Sequence, residues 1–398
     1  MKFKVSALQT SILIFALCLL MFRPAFIAKF GDIGQITALA PILVWIILIP
    51  FVRLRSNQLF LLVTPLYFLG LGIVHSISSY QGNYLPALAG LYASILPYLF
   101  WLFMIKLPAL NKETIDLFLI YVALINVAGA IVFFFYDPLV FGWVGESVYS
   151  DSAKMAVGNI DLRARTFIGT PQTVGVYAAV MLFASYSNTT ISRKFKFASV
   201  GLLFILGLLS GSKSFYFSLL AILVAFSALN GVRVRYLLLC LGIPGLLVVG
   251  QDVAGIFGRV VGVVSYLEIG ISEHATYIAW AEVLNYLQTN QGLIFGQGLG
   301  ALSRAGQLYY TSGLSFTTAE SFLLQILFES GLLGLLMLLT SIAYLLICSL
   351  KSKDYANFAL GMGIFVNMFV SPSFYGSAFG FLGYYYLFSS QYRPSKTT

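Results

Sequence analysis

The chain has 398 residues, of which 59% are hydrophobic and only 9% are charged. Soluble domains are about 45–50% apolar and about 25% charged, so this composition excludes an ordinary soluble globule. The net charge of +9 comes from basic residues that stand singly or in pairs between apolar runs, which is typical of topology signals and not of a nucleic-acid-binding patch. We therefore expect one membrane domain over residues 1–398 and no nucleic-acid partner.

Apolar runs of spanning length recur along the whole chain. A helix needs about 20 mostly apolar residues to cross about 30 Å of hydrocarbon. The pattern predicts an all-α polytopic membrane protein with about 12 transmembrane helices. They are placed near residues 5–22, 33–51, 59–78, 84–105, 114–136, 167–186, 197–211, 214–230, 236–251, 319–348, 356–371 and 374–390. Neither an inverted repeat nor a broken midplane helix is evident in the sequence.

The basic residues between the spans indicate the orientation. If the N-terminus is cytoplasmic, most Lys and Arg residues fall in short cytoplasmic loops, where the positive-inside rule is strongest. An even number of spans with both termini in the cytoplasm satisfies this rule.

Two segments on the predicted outer side are too long to be simple connectors. They cover about residues 137–166 and 251–318. Structureless loops above about 12–15 residues are uncommon unless they are functional. In the second loop, residues 273–290 have the periodicity of an amphipathic helix, with Trp280, Val283, Leu284 and Leu287 on its apolar face. We expect this helix to lie on the outer surface of the bilayer.

Ionisable residues are concentrated in these outer loops, whereas Glu329 is the only one clearly within a span. Transporters and pumps usually carry buried charges near the midplane, so this distribution disfavours that class. Glu329 is interpreted as a packing or hydrogen-bonding group between spans. His75 ends the third span near the outer side, and the sequence assigns it no role.

Three segments carry a resemblance to a known family. Residues 163–177 (RARTFIGTPQTVGVY) resemble the arginine-containing entry to a middle span of the bacterial O-antigen polymerase/ligase superfamily. Residues 209–214 (LSGSKS) resemble the tight turn between two short spans in that family. Residues 296–300 (GQGLG), followed by 320–334 (ESFLLQILFESGLLG), resemble its C-terminal signature, in which an outer-loop helix ends in a glycine turn before a Glu-x-Gly-x-x-Gly span.

The resemblance implies a membrane glycosyltransferase at the outer face of the bacterial inner (cytoplasmic) membrane, with its active site facing the periplasm. Its substrate would be an oligosaccharide linked to undecaprenyl diphosphate, held within the membrane lipid. A chain-length regulator is a possible protein partner. The resemblance implies neither a cofactor nor a metal ion.

The same resemblance, together with elementary chemistry, suggests roles for the charged residues. Without a metal ion, arginine and lysine must stabilise the charge of the departing diphosphate. The candidates are Arg165, then Arg163 and Lys213, with Arg259 and Arg304 as further contacts. Snorkelling to the membrane interface, or ordinary loop charge, is the alternative explanation for each of them.

Glu320 is the predicted general base because it begins a span beside the second long loop, and His274 is the alternative. Ligases of the family typically have His-Asn where this chain has Glu320-Ser321. A glutamate there favours a polysaccharide polymerase, which extends a glycan on a lipid-linked repeat unit in O-antigen, capsule or exopolysaccharide synthesis. The alternatives are an O-antigen ligase, which transfers glycan to lipid A core, and a flippase or transporter for lipid-linked oligosaccharide.

Overall fold

The computed structural model describes residues 2–23, 26, 30, 36–52, 56–107, 111–135, 166–230, 275–290, 292–302, 321–375 and 378–391. Of these residues 82% are helical and none belongs to a strand, which confirms the all-helical class. The predicted span at 236–251, much of both predicted long loops and the C-terminal residues lie outside the described part.

Thirteen α-helices are described, and all of them except the tenth lie within or overlap the predicted apolar runs. They are α1 (Lys2–Met21), α2 (Ala40–Leu48), α3 (Val63–Ser78), α4 (Leu85–Ser94), α5 (Leu96–Met104), α6 (Lys112–Phe135), α7 (Pro171–Ser187), α8 (Arg193–Ser210), α9 (Lys213–Asn230), α10 (Ala275–Thr289), α11 (Phe322–Lys351), α12 (Tyr355–Val370) and α13 (Ala378–Ser389). Short 3₁₀ helices at Ile49–Phe51 and Ser56–Leu62 extend α2 and precede α3.

Four stretches of described helix are long and apolar enough to cross a bilayer: Leu59–Ser78, Lys112–Ile131, Lys213–Asn230 and Phe322–Lys351. The bent pair α4 and α5 makes a fifth if it is one span. These helices are the features expected of a membrane-embedded protein. The predicted total of about 12 spans and the predicted sides of the termini and loops stay predictions.

The pair α4–α5 replaces one predicted continuous span, 84–105, with two helices bent by 49°. The bend falls at Ile95, and Pro97 follows within the first turn of α5. Proline lacks the backbone N–H that would continue the helical ladder, so a kink at this position has a local cause.

Helix α7 is the centre of the described bundle, because it packs against α6, α8, α9 and α12. Every residue from 173 to 185 is buried. A helix that is apolar on all sides is stable only when neighbours enclose it, as they do here. The chain enters α7 through Thr170, directly after the segment that contains the two predicted phosphate-binding arginines.

Helix α10 confirms the helix predicted at residues 273–290, but the buried face of that helix is narrower than predicted. Val283 and Leu287 are fully buried, and the ring of Tyr286 lies 5.7 Å from that of Phe328 in α11. Leu284, predicted on the same apolar face, is 38% exposed. The buried face of α10 therefore consists mainly of the i, i+4 pair Val283 and Leu287. The position of this helix on the bilayer surface stays a prediction.

Helix α11 contains a break that is not evident in the sequence. Gly331, the tenth residue of the helix that begins at Phe322, adopts φ 70° and ψ −174° and interrupts it. The break separates a short segment that contains Glu329 from a long apolar segment that continues to Lys351.

Candidate functional site at the glycine turn

The structure describes one of the seven residues that the sequence predicts for the site, namely Lys213. The other six lie outside the described residues: Arg163, Arg165, Arg259, His274, Arg304 and Glu320. Their mutual geometry is therefore still a prediction.

Lys213 begins α9 after a tight turn in which Gly211 has φ 53°. This turn packs directly on α7. A methyl group at Gly175 would come within 2.9 Å of both Ser210 Oγ and Ser212 Cβ, so only glycine permits the approach. The second motif of the resemblance thus contacts the first, near the point where the chain enters α7.

Residues 292–302, called the glycine turn below, bind to α11 where that helix is broken. In a continuous helix the N–H groups of Leu332 and Leu333 would donate to carbonyls four residues earlier. Here they donate to Leu293 O at 2.8 Å and Ile294 O at 3.2 Å.

The carbonyls left free by the break are also bonded. Gln297 N donates to Phe328 O at 2.9 Å, and Gly298 N donates to Glu329 O at 3.3 Å. The Tyr67 hydroxyl donates to Ser330 O at 3.1 Å. Unpaired backbone groups cost several kcal/mol each inside a membrane, and these bonds remove that cost. The two halves of the C-terminal signature therefore form one structural unit.

Glu329 lies under the glycine turn and is fully buried. Its Oε1 accepts hydrogen bonds from the Tyr375 hydroxyl at 2.8 Å, Gln325 Nε2 at 3.3 Å and Leu302 N at 3.4 Å. Its Oε2 is buried without a hydrogen-bond partner among the described residues. The prediction that Glu329 forms hydrogen bonds is confirmed, but the bonds do not join two spans. Its partners are Gln325 of the same helix, Leu302 of the glycine turn and Tyr375 of the segment that follows α12.

His75 and Tyr80 hold the Leu299 peptide from both sides. Leu299 N donates to His75 Nδ1 at 3.1 Å, and the Tyr80 hydroxyl donates to Leu299 O at 3.0 Å. Close backbone contact fixes the next residue, because a methyl group at Gly90 of α4 would overlap Gly300 N. The turn is thereby attached to α3, α4 and α11 at once.

A cavity of about 730 Å³ lies between α3 and the glycine turn. Its described lining includes both apolar residues and the polar side chains of His75, Ser78, Ser79 and Gln297. Volumes of this size accommodate small molecules or part of a larger ligand. Among the described residues, no group of three His, Cys, Asp or Glu side chains is positioned to hold a metal ion.

Comparison with protein-family models and with curated proteins gives no significant match.

Sequence reasoning missed His75 and the cavity. One histidine at the end of an apolar run gives no pattern, and its partner Leu299 is 224 positions away in the chain. The sequence does contain one indication of this contact. A polar residue at the end of a span and a glycine-rich segment lie on the same predicted side of the membrane, and glycine is needed where a backbone segment packs closely on a helix.

Proposed function

We propose that this protein is a polysaccharide polymerase of the bacterial inner membrane. It transfers a growing glycan from undecaprenyl diphosphate to a sugar hydroxyl on a lipid-linked repeat unit at the periplasmic face. The reaction breaks the bond between the glycan and the diphosphate and forms a glycosidic bond. The proton of the attacking hydroxyl passes to a base, and the lipid diphosphate departs.

The observation that carries the proposal is the union of the glycine turn with the broken α11. The glycine turn and α11 carry the two halves of the family's C-terminal signature and are separated in the sequence. They nevertheless share four backbone hydrogen bonds around Gly331 and a fifth from Leu302 N to Glu329 Oε1. A cavity with apolar and polar walls opens beside this unit. An amphiphilic substrate, which has a lipid part and a glycan part, needs a site with both kinds of wall.

The proposed roles follow from charge. Lys213 and the two arginines before α7 would stabilise the diphosphate, since the turn that presents Lys213 packs against Gly175 in the second turn of α7. Charge-assisted hydrogen bonds to phosphate are strong where water is excluded. Arg259 and Arg304 would add contacts, and Glu320, or else His274, would accept the proton.

One observation favours a second candidate, a flippase for lipid-linked oligosaccharide. Transporters often bind substrate at broken helices near polar groups, and α11 has both a break at Gly331 and a buried carboxyl at Glu329. The hydrogen-bonded closure of this break by the glycine turn argues for a fixed structural role, which favours the polymerase.

Inner-membrane vesicles supplied with lipid-linked repeat units distinguish the candidates. Longer glycans on undecaprenyl diphosphate identify a polymerase, and transfer to added lipid A core identifies a ligase. Repeat units that change leaflet without extension identify a flippase and refute the proposal.

The same assay tests the proposed arginine. We expect Arg165→Ala to reduce chain extension at least about 100-fold, as expected for loss of a transition-state charge contact. The matched control is Arg193→Ala, because Arg193 is exposed at the opposite end of α8 from the Lys213 turn. Extension by Arg165→Ala at the rate of the control removes Arg165 from the site.

A further inference from the structure

The cavity beside the glycine turn is lined by apolar and uncharged polar residues. Its described lining contains no lysine, arginine, aspartate or glutamate, whereas it contains one imidazole, one carboxamide and several hydroxyls. A diphosphate in a site of this kind would lack the cations that it requires. The described lining is therefore unsuited to the diphosphate of a lipid-linked glycan.

His75 is fixed in one tautomer by the turn. Its Nδ1 accepts the hydrogen bond from Leu299 N, so Nδ1 carries no proton and the ring proton of the neutral imidazole is on Nε2. No described residue forms a hydrogen bond with Nε2, and His75 belongs to the cavity lining. The imidazole therefore offers the cavity a hydrogen-bond donor of fixed direction.

Aromatic and amide groups accompany this donor. Phe295 lines the cavity with 56% of its surface exposed, and Tyr67 lines it from α3. Aromatic rings provide flat apolar faces, and the carboxamide of Gln297 adds a polar group, whose Nε2 is buried. Sugar rings have apolar C–H faces and hydroxyls that donate and accept, so they match this combination.

We propose that the cavity binds neutral sugar residues of the glycan, with the Nε2–H of His75 donating a hydrogen bond to a sugar oxygen. The inference rests on the proposed function, for which a glycan must be held near the diphosphate site but apart from its cations. His75 is then a substrate-binding residue, and the glycine turn is the element that orients it.

Binding can be measured without turnover. The full-length protein in lipid nanodiscs, labelled with ¹⁵N-histidine, has only two side chains to observe, because the chain contains two histidines. His274→Gln removes one of the two signals and so assigns His75. The probes are a mixture of maltose, lactose and N-acetyllactosamine and, separately, inorganic pyrophosphate.

We expect the free protein to show the tautomer protonated at Nε2, and the sugars but not pyrophosphate to shift the His75 Nε2 signal. A shift caused by pyrophosphate, or no shift with any of the sugars at millimolar concentrations, overturns the inference.

Two variants separate binding from folding. His75→Asn keeps an acceptor near the position of Nδ1 for Leu299 N but removes the Nε2–H group that is proposed to bind sugar. We expect it to melt within about 2 °C of the parent protein, since the bond to Leu299 is retained. Saturation transfer to the sugars should fall at least fivefold. His75→Ala removes both groups and should lower both the melting temperature and saturation transfer.

The failure of this inference differs from the failure of the proposed function. If the parent protein in nanodiscs binds none of the sugars and His75→Asn extends chains in vesicles at the parent rate, the sugar site is refuted. The polymerase proposal is then left intact. Sugar binding by the parent protein, without any chain extension in vesicles, supports the site and refutes the polymerase.

Discussion

Replacement of Gly331 by alanine tests the connection between the glycine turn and α11. Gly331 has φ 70° and ψ −174°, a backbone conformation that is nearly restricted to glycine and costs other residues about 1–3 kcal/mol. A Cβ at this position would also overlap Ile294 O and lie 2.5 Å from Gly296 N. The turn must therefore move away from the helix.

That movement breaks the hydrogen bonds from Leu332 N and Leu333 N to the turn. Each buried backbone group left unpaired costs about 1–3 kcal/mol, so two lost bonds and the backbone strain together destabilise the fold by at least about 3 kcal/mol. For a chain of this size we expect the melting temperature to fall by at least about 5 °C.

Intrinsic fluorescence during heating, with the purified protein in detergent micelles, measures this change. The matched control is Gly201→Ala in α8, because a Cβ there meets nothing within 4 Å. Alanine is favoured over glycine in a helix by about 0.5–1 kcal/mol, so the control should melt at or slightly above the parent temperature. Equal melting temperatures for both variants would show that the turn does not close the helix break in the membrane protein.

Substitutions at two further positions test the buried carboxyl and the cation. Glu329→Gln keeps an oxygen for the donors on Tyr375 and Gln325 and should leave the melting temperature nearly unchanged. Glu329→Leu leaves these donors unpaired and should destabilise the protein by about 2–4 kcal/mol in the same experiment, whereas equal effects of the two variants would contradict the hydrogen-bonding role. Lys213→Arg should retain most chain extension and Lys213→Glu should reduce it at least about tenfold, since only the second reverses the charge offered to a diphosphate. Similar rates for these two Lys213 variants, with both proteins folded, would exclude Lys213 from the diphosphate site.

The helices could be predicted because their signal is local. Runs such as Lys112–Phe135 and Phe322–Lys351 are apolar over a whole span, and the described helices lie where those runs lie. Glu329 could be assigned a hydrogen-bonding role because a lone carboxyl in an apolar helix must be paired or neutral.

The break and the cavity could not be predicted, because they depend on residues that are distant in the chain. Gly331 stands among leucines like any small residue of a packed span, and its special backbone conformation appears only when Leu293 and Ile294 are placed beside it. The exposed position of Leu284 has a similar origin, since the helix pattern alone does not show which apolar residues meet α11.

The closure of α11 by an earlier segment has a consequence for biosynthesis. The ribosome delivers residues 292–302 before Gly331, so the backbone groups that complete the helix reach the membrane ahead of the helix that needs them. Neither partner can satisfy its own polar groups in the bilayer, and both must be integrated before either is stable. Insertion of this region should therefore be a joint event, in which a polypeptide stalled before residue 331 stays accessible to proteases and one extended past α11 becomes resistant.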